Sequence, residues 1–89
     1  MSASAERIAA IEEVLALLGT MEGLQARKVI DLARRLCPGL TAEDIRNPHD
    51  FPELGDTDWH FEDGQLAGIQ SVVTALRAWR ERLSSEPER

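Results

Sequence analysis

The last third of the chain carries an apolar repeat that an α-helix places on one side. The spacings in this repeat alternate between three and four residues, as 3.6 residues per turn require. Its members are Ile69, Val72, Leu76, Trp79 and Leu83. The repeat predicts a helix from residue 63 to residue 83, roughly 30 Å long at 1.5 Å per residue. A helix this long needs other apolar surfaces to cover it, which favours a helical bundle.

Two more helices are predicted in the first part of the chain. Residues 4–18 contain an apolar stripe with spacings of three, four and three, formed by Ile8, Ile11, Leu15 and Leu18. Gly19 is a typical residue to follow a helix end, and Thr20 is a typical N-cap. The second helix, 20–37, would end at Pro38. Only a tight turn fits between these two helices, so they are expected to form an antiparallel hairpin.

A short helix and a long connector are expected between this hairpin and the last helix. Thr41 followed three residues later by an acid resembles a capping box and predicts helical turns over 42–46. Residues 47–62 contain two prolines and a glycine, which make continuous helix unfavourable there. The predicted fold is therefore all-α, a small bundle of three to four helices. It forms one domain over residues 1–83, and a polar tail follows at 84–89.

Charge and composition narrow the class of partner. The chain has 89 residues, a net charge of −6 and one cysteine. A nucleic-acid-binding protein needs clustered Lys and Arg, and an anionic membrane surface attracts the same residues. We therefore expect neither nucleic acid nor membrane as a partner. The single cysteine excludes an intrachain disulfide, and the N-terminus does not resemble a signal peptide, so a cytoplasmic location is expected.

The negative charge is concentrated in one part of the chain. Between Thr41 and Asp63 there are eight acidic residues and a single base, Arg46. The remainder has nine bases and eight acids and is nearly neutral. An acidic band of this kind can face a basic patch on a partner protein, and it can equally keep a solvated loop soluble.

The same segment holds three of the four aromatic residues, Phe51, Trp59 and Phe61; the fourth is Trp79. Aromatic residues in a connector are expected to fold back onto the bundle, because large apolar side chains are normally buried. One or two of them could instead remain exposed as anchors for a partner, since Trp is enriched in binding hot spots. The two interpretations are compatible with each other.

Metal binding and catalysis are not predicted. His49 and His60 are eleven residues apart, and zinc needs three or four His or Cys ligands. A calcium loop starting at Asp56 would need glycine at its sixth position, where Phe61 stands. Cys37 lies at a predicted helix C-terminus, where a thiol is not activated. We expect no catalytic residue, no metal and no cofactor, and no enzyme activity.

The segment TAEDIRNPHDFPELG, residues 41–55, resembles acyl carrier proteins, which are small, acidic and helical. That resemblance implies a serine shortly after the glycine, as the attachment point of a phosphopantetheine arm. Here Gly55 is followed by Asp-Thr-Asp-Trp, and no serine occurs between Thr41 and Gln70. The attachment chemistry has no residue to act on, so a carrier function is not predicted.

The sequence thus predicts a protein–protein interaction module, an accessory subunit or adaptor of a larger complex, or a protein that assembles with itself. The alternative is a small inhibitor of the immunity-protein type that binds a basic protein through the acidic connector. The residues predicted to contact the partner are Phe51, Leu54, Asp56, Asp58, Trp59, Phe61, Glu62 and Trp79.

Overall fold

The computed structural model describes residues 3–86, which form an all-helical chain without a β-strand in that range. Helix α1 spans Ala3–Leu36, the short α2 spans Ala42–Ile45, and α3 spans Thr57–Ser85. Two single 3₁₀ turns, Pro48–Asp50 and Pro52–Gly55, lie between α2 and α3. The two long helices run antiparallel and form a hairpin that measures 56 × 20 × 19 Å. The all-α prediction is confirmed.

The prediction of two helices separated by a turn at Gly19 and Thr20 is wrong. Helix α1 runs through both positions without interruption. The Thr20 hydroxyl donates a hydrogen bond to the backbone carbonyl of Ala16, one helical turn earlier, at 3.4 Å. The predicted hairpin between residues 4–18 and 20–37 therefore does not form, and α3 takes the place of its second arm.

The reason lies in the size of the competing free energies. A glycine inside a helix costs about 1 kcal/mol relative to alanine. The inward stripe of α1 continues in phase across Gly19, so a break there would divide one apolar surface into two misaligned pieces. That stripe consists of Ile11, Leu15, Leu18, Gln25, Val29 and Ala33, all buried or half-buried. Burying one Val or Leu side chain is worth roughly 1.5–3 kcal/mol, which outweighs the glycine.

Helix α3 begins at Thr57, six residues earlier than predicted, so the connector is shorter than 47–62. Asp56 is the N-cap, and its carboxylate accepts a hydrogen bond from the backbone N–H of Trp59 at 3.0 Å. With this start, the inward stripe of α3 gains another turn at its N-terminus. The stripe consists of Trp59, Glu62, Leu66, Ile69, Val73, Leu76, Arg80 and Leu83, all buried or half-buried.

The capping prediction at Thr41 is confirmed. The Thr41 hydroxyl accepts from the backbone N–H of Asp44 at 3.1 Å, and the Asp44 carboxylate accepts from the N–H of Thr41 at 3.0 Å. Before this helix the chain turns at Gly39, whose φ of +88° disfavours any residue with a Cβ. The Arg34 side chain holds the turn by donating to the carbonyl of Leu40 at 3.0 Å.

The core lies at the connector end of the hairpin. There Val29 and Ala33 of α1 pack against Leu40, Leu54 and Trp59. One turn further along, the buried Gln25 donates hydrogen bonds to the backbone carbonyl and the carboxylate of Glu62. A polar pair inside an apolar seam favours one alignment of the two helices, because any shift would leave both groups unpaired.

The far end of the hairpin is more open than the connector end. Ile11, Val73 and Leu83 are its buried apolar side chains. Helix α3 includes Ser84 and Ser85, which were predicted to belong to the polar tail at 84–89, and residues 87–89 lie outside the described range. Neither long helix, as far as residues 3–86 show, is apolar enough to cross a membrane.

Candidate interaction surface

Two of the residues predicted to contact a partner lie in the core. Trp59 is fully buried and Leu54 is 1% exposed. The indole N–H of Trp59 donates to the backbone carbonyl of Val29 at 3.1 Å, so the ring ties α3 to α1. A side chain without exposed surface cannot touch a partner in this conformation. A binding role for these two residues would require the connector end to open.

Several carboxylates of the acidic segment stabilise the fold locally. Asp56 caps α3, Asp44 belongs to the capping box of α2, and Glu62 accepts from Gln25. These acids satisfy backbone or side-chain donors, which explains part of the acidic composition without a partner. Asp58, in contrast, is exposed in the first turn of α3, where the helix dipole favours a negative charge.

The remaining predicted residues differ in exposure. Phe51 is half-buried against the core at the connector end. Phe61 is 62% exposed, although it lies only two residues from the buried Trp59. Trp79 is 37% exposed, and the guanidinium carbon of Arg7 lies 5.5 Å from the centre of a Trp79 ring, a cation–π geometry.

Phe61 and Trp79 belong to a larger surface that we call the apolar face. It contains the seven large hydrophobic side chains that are exposed in residues 3–86, distributed over both long helices. On α1 they follow the spacing three, four, three, and on α3 they lie 11 and 7 residues apart. The members are Val14, Leu17, Met21, Leu24, Phe61, Val72 and Trp79.

The geometry of the helices places these residues on one side of the hairpin. At 100° per residue, the three α3 members fall within about 20° of one another and the four α1 members within about 80°. Two shallow grooves between the helices border these residues, and one of them joins a member of each set, Val14 and Trp79. Met21 and Leu24 share one groove with Gln65 and Ile69, and Val14 shares the other with Leu76 and Trp79.

The sequence contains a signal for this face that points to a second neighbour. Val14 and Leu17 widen the first apolar stripe, as expected for a helix contacted on two sides. The repeat that extends from Ile69 to Leu83 in fact mixes two faces. Leu76 and Leu83 turn toward α1, whereas Val72 and Trp79 lie on the apolar face. Met21 and Leu24 were missed because the predicted turn at Gly19 assigned them to another helix.

Outside this surface, the described residues include two histidines and one cysteine. Within residues 3–86 no three His, Cys, Asp or Glu side chains are grouped as metal ligands. His49 and His60 line one shallow pocket together with Phe51 and Leu54. Partial burial raises the pKa of the Cys37 thiol, and the carboxylates of Glu53 and Asp44 raise that pKa further. A thiol with a raised pKa is a poor nucleophile at neutral pH.

The raised pKa of Cys37 can be measured through its alkylation. We expect the rate of reaction with iodoacetamide to rise with a midpoint at higher pH than for a free cysteine peptide, because only the thiolate reacts. Mass spectrometry of the single-cysteine chain over pH 7–10.5 reports the rate. A midpoint at or below that of the peptide would contradict the assignment of the thiol to this acidic, partly buried position.

Comparison of the chain with protein-family models, with curated proteins and with solved structures finds no significant match.

Proposed function

We propose that the protein is a protein–protein interaction module whose binding surface is the apolar face of the α1–α3 hairpin. The observation that carries this proposal is the alignment of seven exposed large hydrophobic side chains on one side of the molecule. Exposed apolar residues scattered singly are ordinary on protein surfaces, but a contiguous patch is typical of an interaction site.

The composition of the face also fits binding. It includes Phe61 and Trp79, and aromatic residues are enriched among those that dominate interface free energies. Each large apolar side chain that a partner covers contributes roughly 1.5–3 kcal/mol before the losses of association are subtracted. Charged side chains of both signs border the face and can set the orientation of a partner: Arg27, Lys28 and Asp31 lie along the same groove as Met21 and Leu24.

The substitution Leu17→Glu tests the proposal. Leu17 is 63% exposed, so the variant is expected to keep the helical fold while placing a carboxylate in the middle of the face. Covering an unpaired carboxylate is unfavourable by more than about 1.4 kcal/mol, so recovery of bound protein should fall at least tenfold. The measurement is quantitative mass spectrometry of proteins that co-purify with the tagged chain from its native cells, including untagged copies of the chain.

The matched control is Ala16→Glu, which introduces the same charge at an exposed position one residue away and about 100° around the helix. It should retain the bound proteins. Equal recovery with Leu17→Glu and Ala16→Glu would contradict the proposal. Circular dichroism of both variants confirms that any difference arises from the surface and not from the fold.

A second candidate function is binding of a basic protein through the acidic connector, in the manner of an immunity-type inhibitor. The observation that favours it is the exposure of Glu43, Asp50, Glu53 and Asp58 at one end of the molecule. Such a complex would weaken strongly as salt rises from 0.05 to 0.5 M, because exposed charges are screened. It would also tolerate Leu17→Glu, which distinguishes it from a complex formed by the apolar face.

A further inference from the structure

We propose that the occupant of the apolar face is a second copy of this chain, and that the two hairpins stack face to face as a four-helix bundle with their connectors at opposite ends. The inference rests on the proposed function, since it takes the apolar face as the binding surface. Such a dimer is supported by the shape of the monomer, the symmetry of the apolar face and the distribution of charge.

The isolated chain is too extended for a compact domain of its length. Its radius of gyration is 17.5 Å, whereas a compact 89-residue domain is expected near 12 Å. Its accessible surface is 6309 Å², about 1,100 Å² more than the roughly 5,200 Å² expected for this mass. A standard interface buries about 800 Å² on each partner, so one further hairpin on the apolar face accounts for most of the excess.

The apolar face is centred in a way that a two-fold axis requires. Contacts between the helices define which residues lie at the same height: Gln25 with Glu62, Val29 with Trp59, and Arg7 with Trp79. In each pair the residue numbers add up to between 86 and 88. The α1 part of the face, Val14–Leu24, has its midpoint at residue 19, which this rule places level with residue 68.

The α3 part of the face, Phe61–Trp79, has its midpoint at residue 70, within about 3 Å of the same height. An axis that passes through this height and crosses the helices superimposes each apolar stripe on its own copy. It also brings Phe61 of each copy level with Trp79 of the other. A partner of unrelated sequence would not need the two stripes to share a midpoint, but an isologous dimer does.

The charges of the helices complement one another in this arrangement. On the two sides of the proposed axis, residues 3–18 of α1 contain three acids and one base, whereas residues 20–36 contain four bases and two acids. In α3, residues 57–70 contain three acids and no base, whereas residues 71–85 contain three bases and one acid. Stacking each helix antiparallel on its own copy therefore brings every acidic half against a basic half.

The negative charge of the connectors distinguishes between the two possible two-fold arrangements. An axis parallel to the helices would also oppose acidic and basic halves, since it stacks α1 on α3 of the second copy. It would, however, bring together two segments, residues 41–63, that each carry eight acids and one base. An axis across the helices separates these segments by most of the 56 Å length, well beyond the roughly 8 Å screening distance at physiological salt.

Sedimentation equilibrium tests the assembly. At tens of micromolar we expect a mass about twice the 9.9 kDa of the chain. Combining Leu17→Glu with Val72→Glu should return the mass to 9.9 kDa, and Ala16→Glu should leave the dimer intact. A wild-type mass of 9.9 kDa up to several hundred micromolar would overturn the dimer. The proposed function would survive that result if Leu17→Glu still removed a different bound protein.

Spin labels test the arrangement. With Cys37→Ser as background, Glu43→Cys places one label at the exposed connector end of each copy. About 18 residues of helix separate this end from the proposed axis, so the distance between the two labels should be about 50 Å. A distance below about 30 Å would place the connectors side by side and overturn the proposed arrangement.

If both Leu17→Glu and Ala16→Glu left every complex unchanged, the apolar face itself would be excluded.

Discussion

Replacing Trp59 by alanine is expected to lower the free energy of unfolding by roughly 3–5 kcal/mol, as truncation of a buried Trp typically does. The side chain is fully buried among Val29, Ala33, Leu40 and Leu54 and fills the core at the connector end. For a chain of this size the whole stability is on the order of 5–13 kcal/mol, so a large share would be lost. Urea denaturation followed by circular dichroism at one fixed protein concentration measures the change.

The conservative variant Trp59→Phe separates packing from hydrogen bonding. It keeps most of the apolar volume but removes the indole N–H that donates to the Val29 carbonyl. We expect a smaller loss of about 1–2 kcal/mol, the sum of one hydrogen bond and a small cavity. If Trp59→Ala costs less than 1 kcal/mol, Trp59 is not buried in solution and would again be a candidate contact residue for a partner.

The second large effect is expected from Thr20→Pro. Thr20 lies in the middle of α1, where proline removes a backbone hydrogen bond and clashes with the preceding turn, at a cost of roughly 3 kcal/mol or more. Helical circular dichroism should also fall, since the part of α1 before residue 20 loses its connection to the core. The measurements are the helical signal and the urea midpoint.

Thr20→Ala is the matched control for this prediction. Alanine is the best helix former, so the variant should be as stable as the wild type or more stable by a few tenths of a kcal/mol. If the chain turned at Gly19 and Thr20, proline at the start of a second helix would be well tolerated. Equal stability of Thr20→Pro and Thr20→Ala would therefore contradict a continuous α1.

The local signals in the sequence predicted much of the secondary structure correctly. The capping box at Thr41, the stop at Pro38 and the apolar repeat before Leu83 all depend on neighbouring residues, and all three correspond to features of the structure. The predicted topology depended on whether the chain turns at Gly19. A glycine destabilises a helix by only about 1 kcal/mol relative to alanine, whether the helix ends there or continues. Tertiary burial along the whole inward stripe decides such a position, and that information is not local.

Only part of the candidate surface could be predicted, because its recognition also depends on tertiary burial. Phe61 and Trp79 were expected to contact a partner and are exposed, but Trp59 is buried because its ring completes the seam between α1 and α3. Met21 and Leu24 became recognisable as part of one stripe only when α1 was continuous. The two apolar faces of each helix interleave at three- and four-residue spacings, so their separation requires knowledge of the neighbouring helix.

The most direct test of a covered apolar face is methyl NMR with a soluble paramagnetic probe at low and high protein concentration. We predict that the methyl groups of Leu17, Met21, Leu24 and Val72 relax rapidly when the chain is dilute and become protected as concentration rises. The methyl group of Ala16, which is exposed outside the face, should relax rapidly throughout. If the methyl groups of the face stay as accessible as that of Ala16 at millimolar concentration, no second copy covers the apolar face.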